Sequence, residues 1–207
     1  EVTGGRHTPS MSDATSHGSD TPPPVPADDK DWTWVLERPC PECGYDAREI
    51  DPHALPATIG EYAARWPEVL ARPGAGERPE VAVWSPTEYG CHVRDVLAMF
   101  AERVGLILDA EGGGEGAEGG DGPGPVFENF DQDAAAVARE YAAADPATVG
   151  REIVETAQWT AREFGRVGPD DWGRTGTRSD GFVFSVASLG IYCIHELRHH
   201  AWDVRDV

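Results

Sequence analysis

His195, Glu196, Leu197, Arg198 and His199 spell H-E-x-x-H close to the end of the sequence. On a helix this string sets two imidazoles four residues apart on one face, near enough to bind one divalent ion, and in zinc proteases the glutamate serves as general base. Such a site needs a third ligand. The continuation that would supply a third histidine, H-E-x-x-H-x-x-G-x-x-H, is absent from "HELRHHAWDVRDV", and the sequence as given offers no acidic ligand on a further helix. A protease also needs a strand edge to hold an extended peptide, and no strand pattern stands out. The zinc protease is therefore a remote reading, and the i, i+4 histidine pair is what needs explaining.

The search for a third ligand leads upstream to His92, on the shoulder of an apolar helical stripe in "EYGCHVRDVLAMF". Helical bundles build metal sites from side chains on facing helices, so His92, His195 and His199 make a workable three-nitrogen site. The plainer alternative is a hydrogen-bonded boundary histidine at 92 and a solvated helix end at "HELRHH". Glu196 is a candidate proton acceptor, or simply a solvated carboxylate one residue off the ligand face. Asp203, one turn beyond His199, could act as an outer partner. Arg174 and Arg178, in the loop entering the last helix, could hold a cofactor's polar groups or be plain surface arginines. Cys40 and Cys43 in "CPECG" resemble one knuckle of a zinc ribbon whose second knuckle is missing; a structural turn, a redox pair and a metal role all stay open. Cys91 and Cys193 each lie within two residues of a candidate histidine, but their helical offsets point them away, toward packing.

These residues need helices to position them, and the sequence is almost wholly helical in pattern. "LPATIGEYAARWPEVLAR" has apolar residues at helical spacing, with a kink expected at Pro67. "WSPTEYGCHVRDVLAMFAERVGLIL" opens with Ser85 as N-cap, Pro86 at the first position and Glu88 completing a capping box. A short helix is expected over residues 132–143, another capped by Asp145, and a last one from about Ser185, apolar on nearly every side. Four principal helices without strands point to an all-α four-helix bundle. Residues 1–30 are Pro-rich and polar, expected as a disordered tail before a domain over 31–207, and residues 110–125 as a Gly-rich acidic loop.

Composition narrows the partners. With 207 residues, 40% of them hydrophobic, the chain can bury one core of ordinary size. A formal charge of −20, from 37 acidic against 17 basic residues, opposes binding to nucleic acid or to an anionic membrane. No apolar run approaches the roughly 20 residues of a membrane span. A cytoplasmic protein with reduced thiols is the expectation. Lys30 is the only lysine among abundant arginines, a bias of GC-rich genomes such as those of actinobacteria.

Three stretches together resemble a known family. "W-S-x-x-E-Y-x-C-H-V-R-D-V", "D-W-x-R-T-G-x-R-S-D-G-x-x-F-S-V" and "H-x-x-x-H-H-x-x-D-V" occur in the order seen in the DinB-like superfamily, relatives of mycothiol-dependent maleylpyruvate isomerase. The resemblance covers about residues 32–207. It implies a four-helix bundle whose metal, zinc or nickel, is held by one histidine of the second helix and an i, i+4 pair of the last, here His92, His195 and His199. It further implies that the metal activates a small-molecule thiol, mycothiol in an actinobacterium-like cell, which attacks an electrophilic substrate in a transferase or isomerase reaction, with a homodimer allowed. The isomerase branch carries glutamate at the first position of the pair, where this reading puts His195, so maleylpyruvate itself is not the expected substrate. A non-catalytic metal- or ligand-binding bundle is the alternative.

Overall fold

The computed structural model describes residues 25–26, 30–110 and 124–205. Most of the expected disordered tail and of the acidic loop lies outside the described residues. Six helices carry the fold: α1 (Leu55–Ala63), α2 (Trp66–Leu70), α3 (Pro86–Asp109), α4 (Gln132–Ala138), α5 (Pro146–Gly165) and α6 (Val186–Asp203). The helix expected to kink at Pro67 is instead broken into α1 and α2, because a proline near the start of a helix lacks the N–H that would continue the preceding one.

The starts of the long helices follow from their caps. Ser85 Oγ accepts from the Glu88 N–H at 3.2 Å while the Glu88 carboxylate accepts from the Ser85 N–H at 2.9 Å, completing the box expected from the sequence. Arg78 clamps the buried face of the same carboxylate through Nε at 2.8 Å. Asp145 caps α5 by accepting from the Thr148 N–H, and Ser185 caps α6 through a reciprocal pair with Ser188. Each cap satisfies N–H groups that the first turn would leave without partners.

The principal packing runs in a cycle, α1 on α5, α5 on α3, α3 on α6 and α6 back on α1. Apolar stripes from all four meet in one core that includes Ile59, Leu97, Phe100, Ile153, Phe164 and Leu189. Cys91 and Cys193 are buried in it, as their offsets suggested. At Gly190 a Cβ would lie 2.3 Å from Leu55 Cδ1 and 2.7 Å from Phe164 Cε1, so the missing side chain is what lets α6 approach α1 and α5. Gly190→Ala is expected to cost about 1–3 kcal/mol by overpacking, even though alanine favours a helix, and a denaturant midpoint shifted down at constant slope would show it.

A small sheet departs from the strand-free expectation. Strands β1 (Val126–Phe127), β2 (Thr175–Arg178) and β3 (Val183–Ser185) form it, with β1 parallel to β2 and β2 antiparallel to β3. Gly181, at φ +93°, makes the turn between the latter two. Strands of two to four residues are too short for alternation to show in a sequence. The sheet leads directly into the Ser185 cap and so fixes where α6 begins.

Candidate metal centre

Residues of α6 between 195 and 203 line one cavity, and their donor atoms fall into two groups on adjacent faces of the helix. On the first side stands α3. His92 is buried there, with its Nε2 3.6 Å from Glu196 Oε2. His200 Nε2 lies 3.4 Å from the same oxygen, and the two imidazoles are edge to face at 4.7 Å between ring centroids. One donor atom from each of His92, Glu196 and His200 lies within 4.8 Å of the others. The second nitrogen of His200, Nδ1, is 2.8 Å from Asp203 Oδ2. A carboxylate on the far nitrogen of a metal-ligating histidine fixes both its tautomer and its direction.

On the second side stands the N-terminal segment. His195 and His199 gather there with Cys40 and Cys43, again with one donor atom of each within 4.8 Å of the others. The structure brings all three histidines expected from the sequence to the wall of one cavity, but not into one group of close donors. His92 shares no three-donor group with His195 or His199; it is joined instead by Glu196 and His200. The cause is helical geometry, since consecutive residues point about 100° apart and a pair displaced by one residue faces a different neighbour. "HELRHH" contains two i, i+4 pairs, His195 with His199 and Glu196 with His200, and α3 packs against the second.

Charge in the first group is set by burial and by its carboxylates. Burial, the largest influence on His92, drives its pKa down and keeps the ring neutral, the form that binds metals. Burial also opposes charge on His200, but hydrogen bonds to Asp203 and Glu196 outweigh it and raise its pKa to about 9. Burial would likewise push the Glu196 carboxyl up; the imidazoles of His200 and His92 beside it overcome this and hold Glu196 well below the usual range. Glu196 is thus an anion paired with a protonated His200, and a metal ion bound through His200 Nε2 takes the place of that proton. Neither ring nitrogen of His92 has a hydrogen-bond partner, a condition that costs about 1–3 kcal/mol for a buried polar group. A divalent ion bound by His92, Glu196 and His200 would remove that cost and use the anion, so these residues fit a metal.

The group opens onto a cavity of about 810 Å³. Its wall includes Trp84, Tyr192, Arg103 and Arg178. Tyr192 is held in its neutral form chiefly by burial, with the Glu196 charge adding to the effect. Arg178 lies on this wall as one of the two expected arginines, with Nε and Nη2 bound to Asp180 at 2.7–3.0 Å. Arg174 does not line it: its guanidinium donates to the Leu108 and Ala110 carbonyls at 3.0 and 2.9 Å, capping the end of α3. Arg103 was not singled out from the sequence, being one arginine in the amphipathic run of α3. It is buried, donates to the Glu128 carbonyl at 2.6 Å and lies over the Phe127 ring, and burial brings its pKa down to about 10.

A four-helix bundle with a histidine of one helix facing a carboxylate–histidine pair of another belongs to the class of bundles whose facing helices can hold an ion in the interior. Residues 68–204 match the family model of the DinB superfamily, and the chain belongs to that superfamily. Among solved structures, YfiT from Bacillus subtilis, described as a probable metal-dependent hydrolase with an unusual four-helix bundle topology, is similar with a TM-score of 0.61 and 18% identity, over 78% of this chain and 90% of that one. At that identity the likeness is one of fold. No curated protein matches. No helix among the described residues is long and apolar enough to cross a membrane.

Proposed function

We propose that the chain is a metal-dependent enzyme that uses a low-molecular-weight thiol of the mycothiol type against an electrophilic small molecule, with His92, Glu196 and His200 as the metal ligands. The observation that carries this reading is the convergence of those three donors on the wall of a cavity large enough for two small molecules. Ligand cavities commonly span about 300–1,000 Å³, and this one lies toward the upper end. When bound, a divalent ion supplies charge that lowers the pKa of a coordinated thiol or water. Three protein donors leave room for such a ligand, whereas four would not.

The chain's own residues supply the rest. Arg103 and Arg178 give the wall positive charge in an otherwise acidic protein, which favours carboxylate or other anionic groups on the thiol or its partner. Tyr192 offers a phenolic proton beside Glu196. The pair Glu196–His200 carries glutamate first, as the isomerase branch of the resembling family does. The reason for setting maleylpyruvate aside, a histidine at that position, therefore no longer applies, and an unsaturated oxo-acid belongs in the substrate panel.

A second reading follows from the same open site: metal-assisted hydrolysis, the chemistry in YfiT's description. One experiment separates the two. Metal-loaded full-length protein is assayed with mycothiol, then without any thiol, against a panel of electrophiles (chlorobimane, epoxides, unsaturated oxo-acids) and of simple esters and amides. Consumption of an electrophile only when thiol is present is the expected outcome. Turnover of an ester or amide without thiol would replace this reading with the hydrolytic one, and no turnover in either arm would leave a binding bundle.

A further inference from the structure

We infer that Cys40, Cys43, His195 and His199 form a second metal site, a closed Cys2His2 zinc site that fastens the N-terminal segment to α6. It shares a cavity wall with the group facing α3 but none of its donors, and it does not rest on the function proposed above.

The donors come from two elements that the fold brings together. Cys40 and Cys43 stand in C-P-E-C-G, where Gly44 takes φ +67°, a left-handed conformation that glycine adopts without strain. The Gly44 N–H donates to the Cys40 carbonyl at 3.0 Å, and the Cys40 N–H to the Tyr45 carbonyl at 2.8 Å, closing a tight knuckle. The two sulfurs lie within 4.8 Å of each other. His195 and His199 project from one face of α6, four residues apart.

One edge of the group has the length that a tetrahedral ion requires. Cys40 Sγ lies 3.7 Å from His199 Nδ1. Zinc–sulfur bonds of about 2.3 Å and zinc–nitrogen bonds of about 2.0–2.1 Å at the tetrahedral angle give a sulfur–nitrogen edge of about 3.6 Å. The independent sign is His195. Only 2% exposed, it has no hydrogen-bond partner at either ring nitrogen. A buried imidazole with both nitrogens unsatisfied carries a penalty that a metal–nitrogen bond would remove. Trp32 covers the pair, its ring 5.6 Å from His195 and 5.0 Å from His199 between centroids.

Hydrogen bonds also dock the knuckle on α6. Arg198, on α6 between the two histidines, donates from Nε to the Cys43 carbonyl at 3.2 Å and from Nη2 to the Gly44 carbonyl at 3.0 Å. Tyr45 Oη donates to the Ile191 carbonyl at 2.6 Å. Two thiolates and two imidazoles select zinc over hard cations, and four protein donors leave no position for substrate. Binding of Zn²⁺ releases the two thiol protons and yields a site of zero net charge, which suits burial. Because His195 and His199 alternate with Glu196 and His200 along α6, the zinc fixes the rotation of the helix that supplies the other group. Asp203 touches both, with Oδ2 on His200 and Oδ1 3.9 Å from His199 Nε2.

Cobalt substitution of the full-length wild-type protein tests this without a mutation. Tetrahedral Co²⁺ bound to thiolates gives a sulfur-to-cobalt charge-transfer band in the near ultraviolet, which the group of His92, Glu196 and His200 cannot produce. The band is expected in wild type, unchanged in His92→Ala, and lost in Cys40→Ser/Cys43→Ser together with one zinc equivalent per chain. Either absence of the band in cobalt-loaded wild type whose four thiols titrate as free, or a Cys40–Cys43 disulfide in protein purified under reducing conditions, would overturn the assignment. A failure of catalysis would leave the band untouched, so the two proposals fail separately.

Discussion

Glu196→Gln is expected to strip the ion from the group facing α3 and to reduce turnover to background, while His195→Gln leaves that ion in place. The outcome distinguishes the two helical faces, because a site built from His92, His195 and His199 would show the reverse. Glutamine keeps the size of Glu196 but removes the anion that His92 and His200 approach at 3.6 and 3.4 Å. A dication held by two neutral imidazoles and an amide loses its only charged ligand. The loss should exceed the roughly 10–100-fold drop in affinity that follows when only an outer partner of a ligand is removed. Asp203→Asn supplies that smaller step, since it weakens the hold on His200 Nδ1 and leaves all three donors present. Metal equivalents retained against a chelator, read together with turnover, measure both changes. Full metal retention in Glu196→Gln would show that the glutamate is not a ligand.

Asp95→Ala is expected to destabilise the fold by about 3–5 kcal/mol, the usual cost of removing one partner from a buried charged network. Asp95 sits one turn beyond His92 on α3, and it is buried. Its Oδ1 accepts from Arg94 Nε at 2.9 Å, and its Oδ2 from Tyr141 Oη at 2.5 Å and from Arg139 Nη1 at 2.8 Å. Loss of the carboxylate strands the buried Tyr141 hydroxyl and leaves Arg94 with Glu152 as its remaining acidic partner. The same contacts tie the segment after α4 to α3 beside His92, so the metal-binding wall should loosen as well. Equilibrium denaturation reads the stability, and a change of less than about 1 kcal/mol would mean that water replaces the network.

The sequence by itself determined the helices and their starts. Ser85, Asp145 and Ser185 are local signals, because a cap depends on residues within one turn of it. Apolar spacing determined that α3 packs through one stripe and that α6, apolar on nearly every side, is buried among the others, and hence the bundle. It also limited the chemistry to His92, the "HELRHH" run and "CPECG", the places where metal-binding side chains cluster on ordered elements. What only the tertiary structure decided was the pairing among them. Periodicity states that His195 and His199 share one face and that Glu196 and His200 share another, but not which face meets α3; the rotation of α6 is set by contacts distant in sequence, such as Gly190 against Leu55 and Phe164. The same limit hid the cysteines' role. Cys40 and His199 are 159 residues apart, and only docking of the knuckle through Arg198 and Tyr45 places sulfur beside imidazole.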